Sequence, residues 1–417
     1  MIPTDRIERI QEAIRAERLA GWIFFDFHGT NPIARSILRV GTGPGAPKTT
    51  RRWFYLVPAL GTPQKLTHRL EPNALDHLPG DVTVYLTWQE LDRALADLVG
   101  RLVAGHDGAY GPDAARGAAA PIAMEYSPLA RLPYVSRVDA GTIEMVRAAG
   151  ARVVSSADLA QRFDGVLSPE ARLDHRRTGR IVNEIIEGAI ERVRDAVRGK
   201  RGAGLTEGAL QKWILARFAE ERLASSDPPT VAADAHSGDP HFSNSPASDA
   251  PIRAGSFLLV DAWAKAARPG AIYADYTKVA FVGATSPERI AAIFEAVRDA
   301  RDAAIAAVRE AFAARRPVRG CDVDDAARAV IRSRGHGERF VHRTGHSIGE
   351  EVHGNGVHLD NLETRDERLL LTGTLVSVEP GIYFEEFGVR SEVNLLVDDD
   401  EVSVTGDPQR ELPSLLA

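Results

Sequence analysis

One cysteine, Cys321, stands in 417 residues. It can form no intrachain disulfide, so disulfide scaffolds and thiolate zinc sites are excluded together, and a reducing cytoplasm fits. Lysine is nearly as scarce, with six positions from Lys48 to Lys278 among 51 basic residues. The cations are mostly Arg, scattered among 58 acidic residues for a net charge of −7. No cationic patch for nucleic acid results. No run approaches the ~18 apolar residues of a membrane span, and residues 1–20 carry charge throughout, reading as an amphipathic helix rather than a leader. The expectation is a cytoplasmic protein with neither nucleic acid nor membrane as partner.

Apolar residues make up 44% of the chain, and the length suffices for two cores. From Gly21 to about Phe163, short apolar runs (Trp22 to Phe25, Trp53 to Val57, Val82 to Leu86) alternate with helical stretches such as Gln89 to Val103, which predicts an α/β domain. Gly41 to Thr50 superficially suggests a phosphate loop, but Pro47 precedes Lys48 where that motif needs Gly, so a plain loop is expected. A Ser cap followed by Pro at Ser168-Pro169 opens a long charged helix to about Val197, and the domain boundary is placed there, giving domains 1–167 and 168–417. A second helix, Thr206 to Leu223, is followed by strands through Val282. A further helix, capped near Thr285-Ser286-Pro287, carries Ile290, Ile293, Phe294, Val297, Ile305, Val308 and Phe312 at helical spacing, and strands are expected again after Phe340.

The second domain concentrates carboxylates and histidines. The strand Phe257 to Val260 runs into Asp261, and a second strand, Ile272 to Thr277, follows a turn at Arg268-Pro269-Gly270. A hairpin centred on residue 268 would set Asp261 across from Asp275. Glu379 and Glu392 lie symmetrically about Glu385-Glu386 between two further strands, with Arg390 on the Glu392 face, where it is expected to orient that carboxylate. Like charges opposed on a sheet are destabilising, and a divalent cation is the usual remedy. Between the pairs, an offset of four puts His342 and His346 on one face, while Gly345 and Gly349 permit a bend that brings His353 around. His236 and His241 sit in a polar loop, where a lone His is more often structural. Four carboxylates and one imidazole suit Mn²⁺, Co²⁺, Fe²⁺ or Zn²⁺, and two divalent ions neutralise the −4 charge.

The order Asp261, Asp275, His346, Glu379, Glu392 resembles the five-ligand signature of the pita-bread metallopeptidases, which include methionine aminopeptidase, aminopeptidase P and prolidase. The motifs carrying it are Thr344-Gly345-His346-Ser347-Ile348-Gly349, Val378-Glu379-Pro380-Gly381-Ile382-Tyr383 and Gly388-Val389-Arg390-Ser391-Glu392. The preceding α/β region resembles the extra N-terminal domain of the proline-specific branch, and His342, His346, His353 and the His241 of Pro240-His241-Phe242 match that branch's histidines. The resemblance implies a creatinase/prolidase-type α/β domain, an α+β pita-bread catalytic domain, and two divalent metals, Mn foremost with Co, Zn or Fe as alternatives. Asp261 would chelate one metal, Asp275 and Glu392 would bridge, and His346 and Glu379 would complete the other ion. Glu379 would double as general acid/base, His241 and His353 would hydrogen-bond the substrate or intermediate, and Arg390 would assist. His342 and Tyr383 would line the pocket for the residue after the scissile bond, and Arg365 would receive a dipeptide's C-terminal carboxylate. The substrate implied is a Pro-containing dipeptide or longer peptide, and the assembly a homodimer.

Departures from the pattern are Trp263 where Gly is usual, the spacing of fourteen between Asp261 and Asp275, Lys278 in place of Arg, and Val393 after the last Glu. They bear on pocket shape, since Trp263 and the loop to Gly270 are placed to close over the cleft. Two other readings stand beside the Xaa-Pro peptidase: a pita-bread hydrolase or lyase acting on a small non-peptide metabolite, and a non-catalytic binding module. Retention of all five ligands disfavours the last.

Overall fold

The computed structural model describes residues 4–41, 49–111, 119–199 and 205–417. Most of the Gly41–Thr50 segment therefore lies outside the described residues. The chain divides into two compact units, 1–164 and 165–417. The division falls slightly before the expected one because Val166 bridges Thr374 and the Leu167 N–H donates to Gly373 O, binding this stretch to the second unit.

The first unit runs α1 (Thr4–Ala16), β1 (Gly21–Asp26), α2 (Pro32–Leu38), β2 (Trp53–Pro58), β3 (Gln64–His68), β4 (Asp81–Tyr85), α3 (Trp88–Tyr110), β5 (Pro121–Met124), α4 (Ala140–Ala148), β6 (Arg152–Ser155) and α5 (Ala157–Asp164). Its six strands form one mixed sheet in the order β4-β3-β2-β1-β5-β6. The central strand β1 is buried along its whole length, which explains why Gly21-Trp-Ile-Phe-Phe-Asp26 reads as a continuous apolar run rather than an alternation. Trp22 and Phe24 join one core with Ile10, Ile14 and Tyr55, while Ile23 and Phe25 join another with Leu95 and Leu98 on the opposite face.

The second unit opens with α6 (Pro169–Arg198), where Ser168 accepts the Ala171 N–H and Pro169 occupies the first turn, and α7 (Glu207–Glu220), capped by Thr206. The short strands β7 (Leu223–Ala224) and β8 (Thr230–Ala233) follow, then the long hairpin β9 (Phe257–Ala266) and β10 (Ala274–Phe281), whose turn contains Gly270 at φ 73°. Next come α8 (Glu288–Ala313), α9 (Gly320–Ser333), β11 (Leu375–Val378), β12 (Gly381–Tyr383), β13 (Gly388–Arg390), β14 (Val393–Val397) and β15 (Val402–Thr405). Strand β9 pairs with β10, β7 and β8; β14 lies between β11 and β15; β12 pairs with β13. In α8 the expected apolar stripe packs into the core, with Ile293, Phe294, Val297, Ile305 and Val308 buried among the strands and α9.

Strands do not resume directly after Phe340. Among the described residues none forms before Leu375, because carboxylates take the backbone donors a ladder would use. Asp360 accepts the N–H groups of Leu362, Glu363 and Thr364, and Asp366 accepts that of His358. The expected strand pair from Leu375 to Val397 is interrupted at Glu379-Pro380 and at Ser391-Glu392, so two of the acidic residues stand at strand breaks.

Candidate metal centre

The β9/β10 register is two residues away from direct opposition of the aspartates. Asp261 pairs with Thr277 and Trp263 with Asp275, so the two Asp are diagonal neighbours on one face. The long turn accounts for the shift, and the diagonal arrangement spares the sheet two carboxylates directly opposed. The other pair keeps its expected symmetry: Val378 faces Val393 and Gly381 faces Arg390, which brackets Glu379 and Glu392 in one register.

His346 arrives by a different route from the one expected. Residues 341–349 are neither helix nor strand, so an offset of four has no common face to act on. Instead the stretch lies along β11: the Ser377 N–H donates to His346 O, the His346 N–H to Ser377 Oγ (2.9 Å), and the Glu379 N–H to Thr344 O. This approach requires a glycine at 345, since a Cβ there would meet Ser377 O at 1.9 Å. Asp324, fully buried, accepts the Thr344 N–H and hydroxyl and the Arg328 Nε–H, fixing the start of the loop.

The result is a buried group in which Asp275, His346 and Glu392 each offer one ligand atom within 4.8 Å of the others. His346 Nε2 also lies 3.4 Å from Glu379 Oε1 and 3.5 Å from Asp275 Oδ2. Burial raises Asp275 to about 8, with Glu379 adding to the effect, and raises Asp261 to about 6. Glu392 is raised well above the usual carboxylate range by burial and by the three neighbouring carboxylates. Burial also opposes ionisation of Glu379, but His346, His342 and Arg390 outweigh it and hold this carboxyl below its ordinary value. Glu392 Oε1 is buried with no protein donor. Buried carboxylates that raise one another, gathered around an imidazole, are a donor set that divalent metal compensates.

Arg390 reaches Glu392 through Thr277 rather than by a hydrogen bond of its own. Its Nη2 donates to Asp261 Oδ2 (2.5 Å), its Nη1 to Tyr383 OH (3.1 Å) and its Nε to Thr277 Oγ1 (3.1 Å), and it is the Thr277 hydroxyl that donates to Glu392 Oε2 (2.8 Å). The two-residue shift in the hairpin puts Asp261 and Thr277 side by side beneath the guanidinium. His342 separates from His346: its Nε2 bonds Tyr383 OH at 2.8 Å, and burial lowers its pKa to about 4. His353 packs edge-on against His346 with ring centres 4.4 Å apart, on a solvent-exposed segment. His241 is exposed, next to Pro240, whose carbonyl accepts from Arg390 Nη1. His236 is structural, held by the fully buried Glu207 and stacked on Phe242. Lys278 leaves the site altogether and pairs with Glu187 on α6.

Arg365 is exposed and paired with Glu367 at 3.3 Å, and none of its contacts is to the carboxylate group. Three residues were missed by sequence reasoning. Thr277 relays Arg390 to Glu392, and Ser377 joins the His346 backbone to Glu379 Oε1 (3.0 Å). Asn394 grips the Asp275 backbone by both its N–H (3.0 Å) and its carbonyl (2.7 Å). Each lies two positions from a ligand, so the strand period would have found them.

A match to metallopeptidase family M24 covers residues 174–399, more than half of the chain and all five candidate ligands. The chain belongs to this family. The Xaa-Pro dipeptidase of Pyrococcus furiosus is 29% identical over 239 residues, 55% of this chain and 62% of that protein. The probable dipeptidase PepE of Mycobacterium tuberculosis is 30% identical over 220 residues, 51% of this chain and 54% of the relative. The chain thus spans less than two thirds of the length of these relatives. The solved dipeptidase PepE of Mycobacterium ulcerans superposes with a TM-score of 0.67 at 24% identity, covering 99% of this chain and 97% of the other, which shows the fold over both units. The M24 chain is therefore a pita-bread protein with an N-terminal α/β domain, as the sequence led one to expect. No described helix is long and apolar enough to cross a membrane.

Proposed function

We propose that this M24 chain is a two-metal peptidase hydrolysing Xaa-Pro bonds, with dipeptides as its first substrates and Mn²⁺ as its working metal. The observation that carries the reading is the convergence of Asp275, His346 and Glu392 within 4.8 Å, with Glu379 against His346 and Asp261 on the same sheet face. Asp261 and Asp275 would hold one ion, His346 and Glu379 the other, with Asp275 and Glu392 shared between them. Bound divalent metal supplies Lewis-acid polarisation of the scissile carbonyl and a water acidified toward neutral pH.

The chain's own residues do the rest. Glu379, held ionised and fixed by Ser377, is placed to take a proton from the attacking water and return it to the leaving nitrogen. Arg390 aligns Asp261 and favours its ionised form against the effect of burial. Tyr383 and His342, bonded to each other, line the side of the site taken by the residue after the scissile bond. His353 and His241, both reached by solvent, face the substrate as hydrogen-bonding groups. Arg365 receives the dipeptide's carboxylate: its present pairing is a surface one, worth little and readily exchanged for a substrate anion. We further propose a homodimer in a reducing cytoplasm, consistent with one buried cysteine.

The test is hydrolysis of Xaa-Pro dipeptides, Xaa-Pro-Yaa tripeptides and Xaa-Ala controls by protein loaded with Mn²⁺, Co²⁺ or Zn²⁺, with elemental analysis and light scattering alongside. Two metal equivalents, a dimer mass and cleavage restricted to the proline series are expected; full activity at one equivalent overturns the two-metal reading. Arg365→Ala is expected to raise KM for dipeptides roughly tenfold, a charged hydrogen bond being worth ~1.5–3 kcal/mol, and to leave tripeptides unchanged. Unchanged dipeptide kinetics would return Arg365 to the surface.

A further inference from the structure

The face of the β9/β10 hairpin that carries the aspartates has two rows. Asp261 and Thr277 form one row and Trp263 and Asp275 the next, two residues or roughly 7 Å along the strands. The first row joins Arg390, Tyr383 and His342. The second is occupied by an indole. Trp263 is half-buried and packs in a small apolar cluster with Tyr273, Ile348 and Val352. Two of these, Ile348 and Val352, belong to the segment that runs from His346 to His353. That segment is tied down on the same strand, since Lys265 Nζ donates to the carbonyl of Glu350.

Two features set this indole apart from ordinary packing. It stands directly across the strand pair from a metal-ligand candidate, and its Nε1–H is buried without any protein acceptor. A buried tryptophan usually places that N–H on a partner, and leaving it unmade carries a cost. If the proline ring lies against His342 and Tyr383 at the first row, the preceding residue falls at the second row, between Trp263 and His353.

We propose that Trp263 walls the pocket for the residue before the scissile bond and restricts it to small side chains. This rests on the Xaa-Pro reading for which end of the substrate faces which row. A bulky ring fixed across from Asp275 leaves room for Gly or Ala and obstructs Leu or Phe, and a difference of one methylene in an apolar pocket changes kcat/KM by roughly 10–200-fold.

The test uses the metal-loaded full chain on Gly-, Ala-, Leu- and Phe-Pro dipeptides and on the matched Xaa-Ala series. The parent is expected to lose kcat/KM steeply from Ala to Phe. Trp263→Ala is expected to raise the Phe-to-Ala ratio at least tenfold, while Trp263→Phe, which keeps the bulk, holds it within about threefold. Should Trp263→Ala lose metal or thermal stability, Trp263→Leu keeps the apolar packing and is expected to shift the ratio in the same direction. A parent that cleaves Phe-Pro as well as Ala-Pro, or a ratio unmoved in a folded, metal-loaded variant, overturns the proposal. Cleavage confined to the Xaa-Ala series overturns the proline reading, and the size ratio is then read within that series. Cleavage of neither series overturns both.

Discussion

Thr277 has a small side chain and a consequential position in the candidate centre. Its hydroxyl accepts from Arg390 Nε and donates to Glu392 Oε2, so one rotor transmits the orientation of a buried cation to a carboxylate whose other oxygen has no protein donor. Removing it leaves a guanidinium N–H unpaired in the interior and frees Glu392 to rotate. Groups that orient metal ligands typically contribute 10–100-fold to affinity without touching the ion. Thr277→Val, nearly the same shape, is therefore expected to weaken metal binding by roughly that factor while folding normally, and Thr277→Ser to restore it. Calorimetric titration with Mn²⁺ checks this; equal affinity for the Val variant and the parent would show that Glu392 is held by other means.

At the scale of elements, the centre depends on one close crossing, where residues 344–348 lie on β11. A Cβ at 345 would sit 1.9 Å from Ser377 O, which neither backbone can accommodate in place. Gly345→Ala must lift the loop, breaking the bond from the His346 N–H to Ser377 and loosening Glu379 with it. A loss of about 1–3 kcal/mol in urea unfolding is expected, as for other overpacked sites, with metal affinity falling more than tenfold. Gly349→Ala is the control: nothing lies within 4 Å of its Cβ, and a change within about 0.5 kcal/mol is expected. Equal behaviour of the two variants would remove the crossing from the account. This crossing also shows what the sequence could and could not say. Strand periodicity and symmetric spacing placed Glu379 opposite Glu392, because a ladder's register is arithmetic once its turn is known. The same arithmetic missed the β9/β10 register by two residues, since seven turn residues from Ala267 to Tyr273 leave the centre free to slide in steps that keep the buried face inward. The Arg390 partner was misread for the same reason. The path of residues 341–374 was not legible at all, because it is set by side-chain carboxylates such as Asp324 and Asp360 taking backbone donors, a choice that carries no period.

Over the whole molecule, the residues of the candidate metal centre all come from the second unit, while the first holds a buried acid of its own. Glu125 is fully buried and accepts from Trp22 Nε1 (2.7 Å), Asn31 Nδ2 (2.8 Å) and Ser156 Oγ (3.1 Å). Asn31 also caps α2 and Ser156 opens α5, so this carboxyl ties β1 to two helix starts. Three donors favour the ionised form, yet burial outweighs them and raises Glu125 to about 7. The sign follows from linkage. Below the unfolded value near 4.5 both states hold the proton and the contribution to stability is complete; as pH rises, the unfolded chain ionises first, and stability falls by up to ~1.4 kcal/mol per unit until about 7, where the folded state has released its proton too. Glu125→Gln removes this slope. It also lowers the overall level, because the amide keeps one acceptor oxygen where the carboxyl had two, and its –NH2 meets a donor with a donor. Urea unfolding between pH 5 and 8, with metal saturating so that the second unit's carboxylates stay ionised, is expected to show a falling stability in the parent and a flatter, lower line in the variant. Parallel slopes would mean that Glu125 is ionised in the folded protein, and that the donors around it outweigh burial after all.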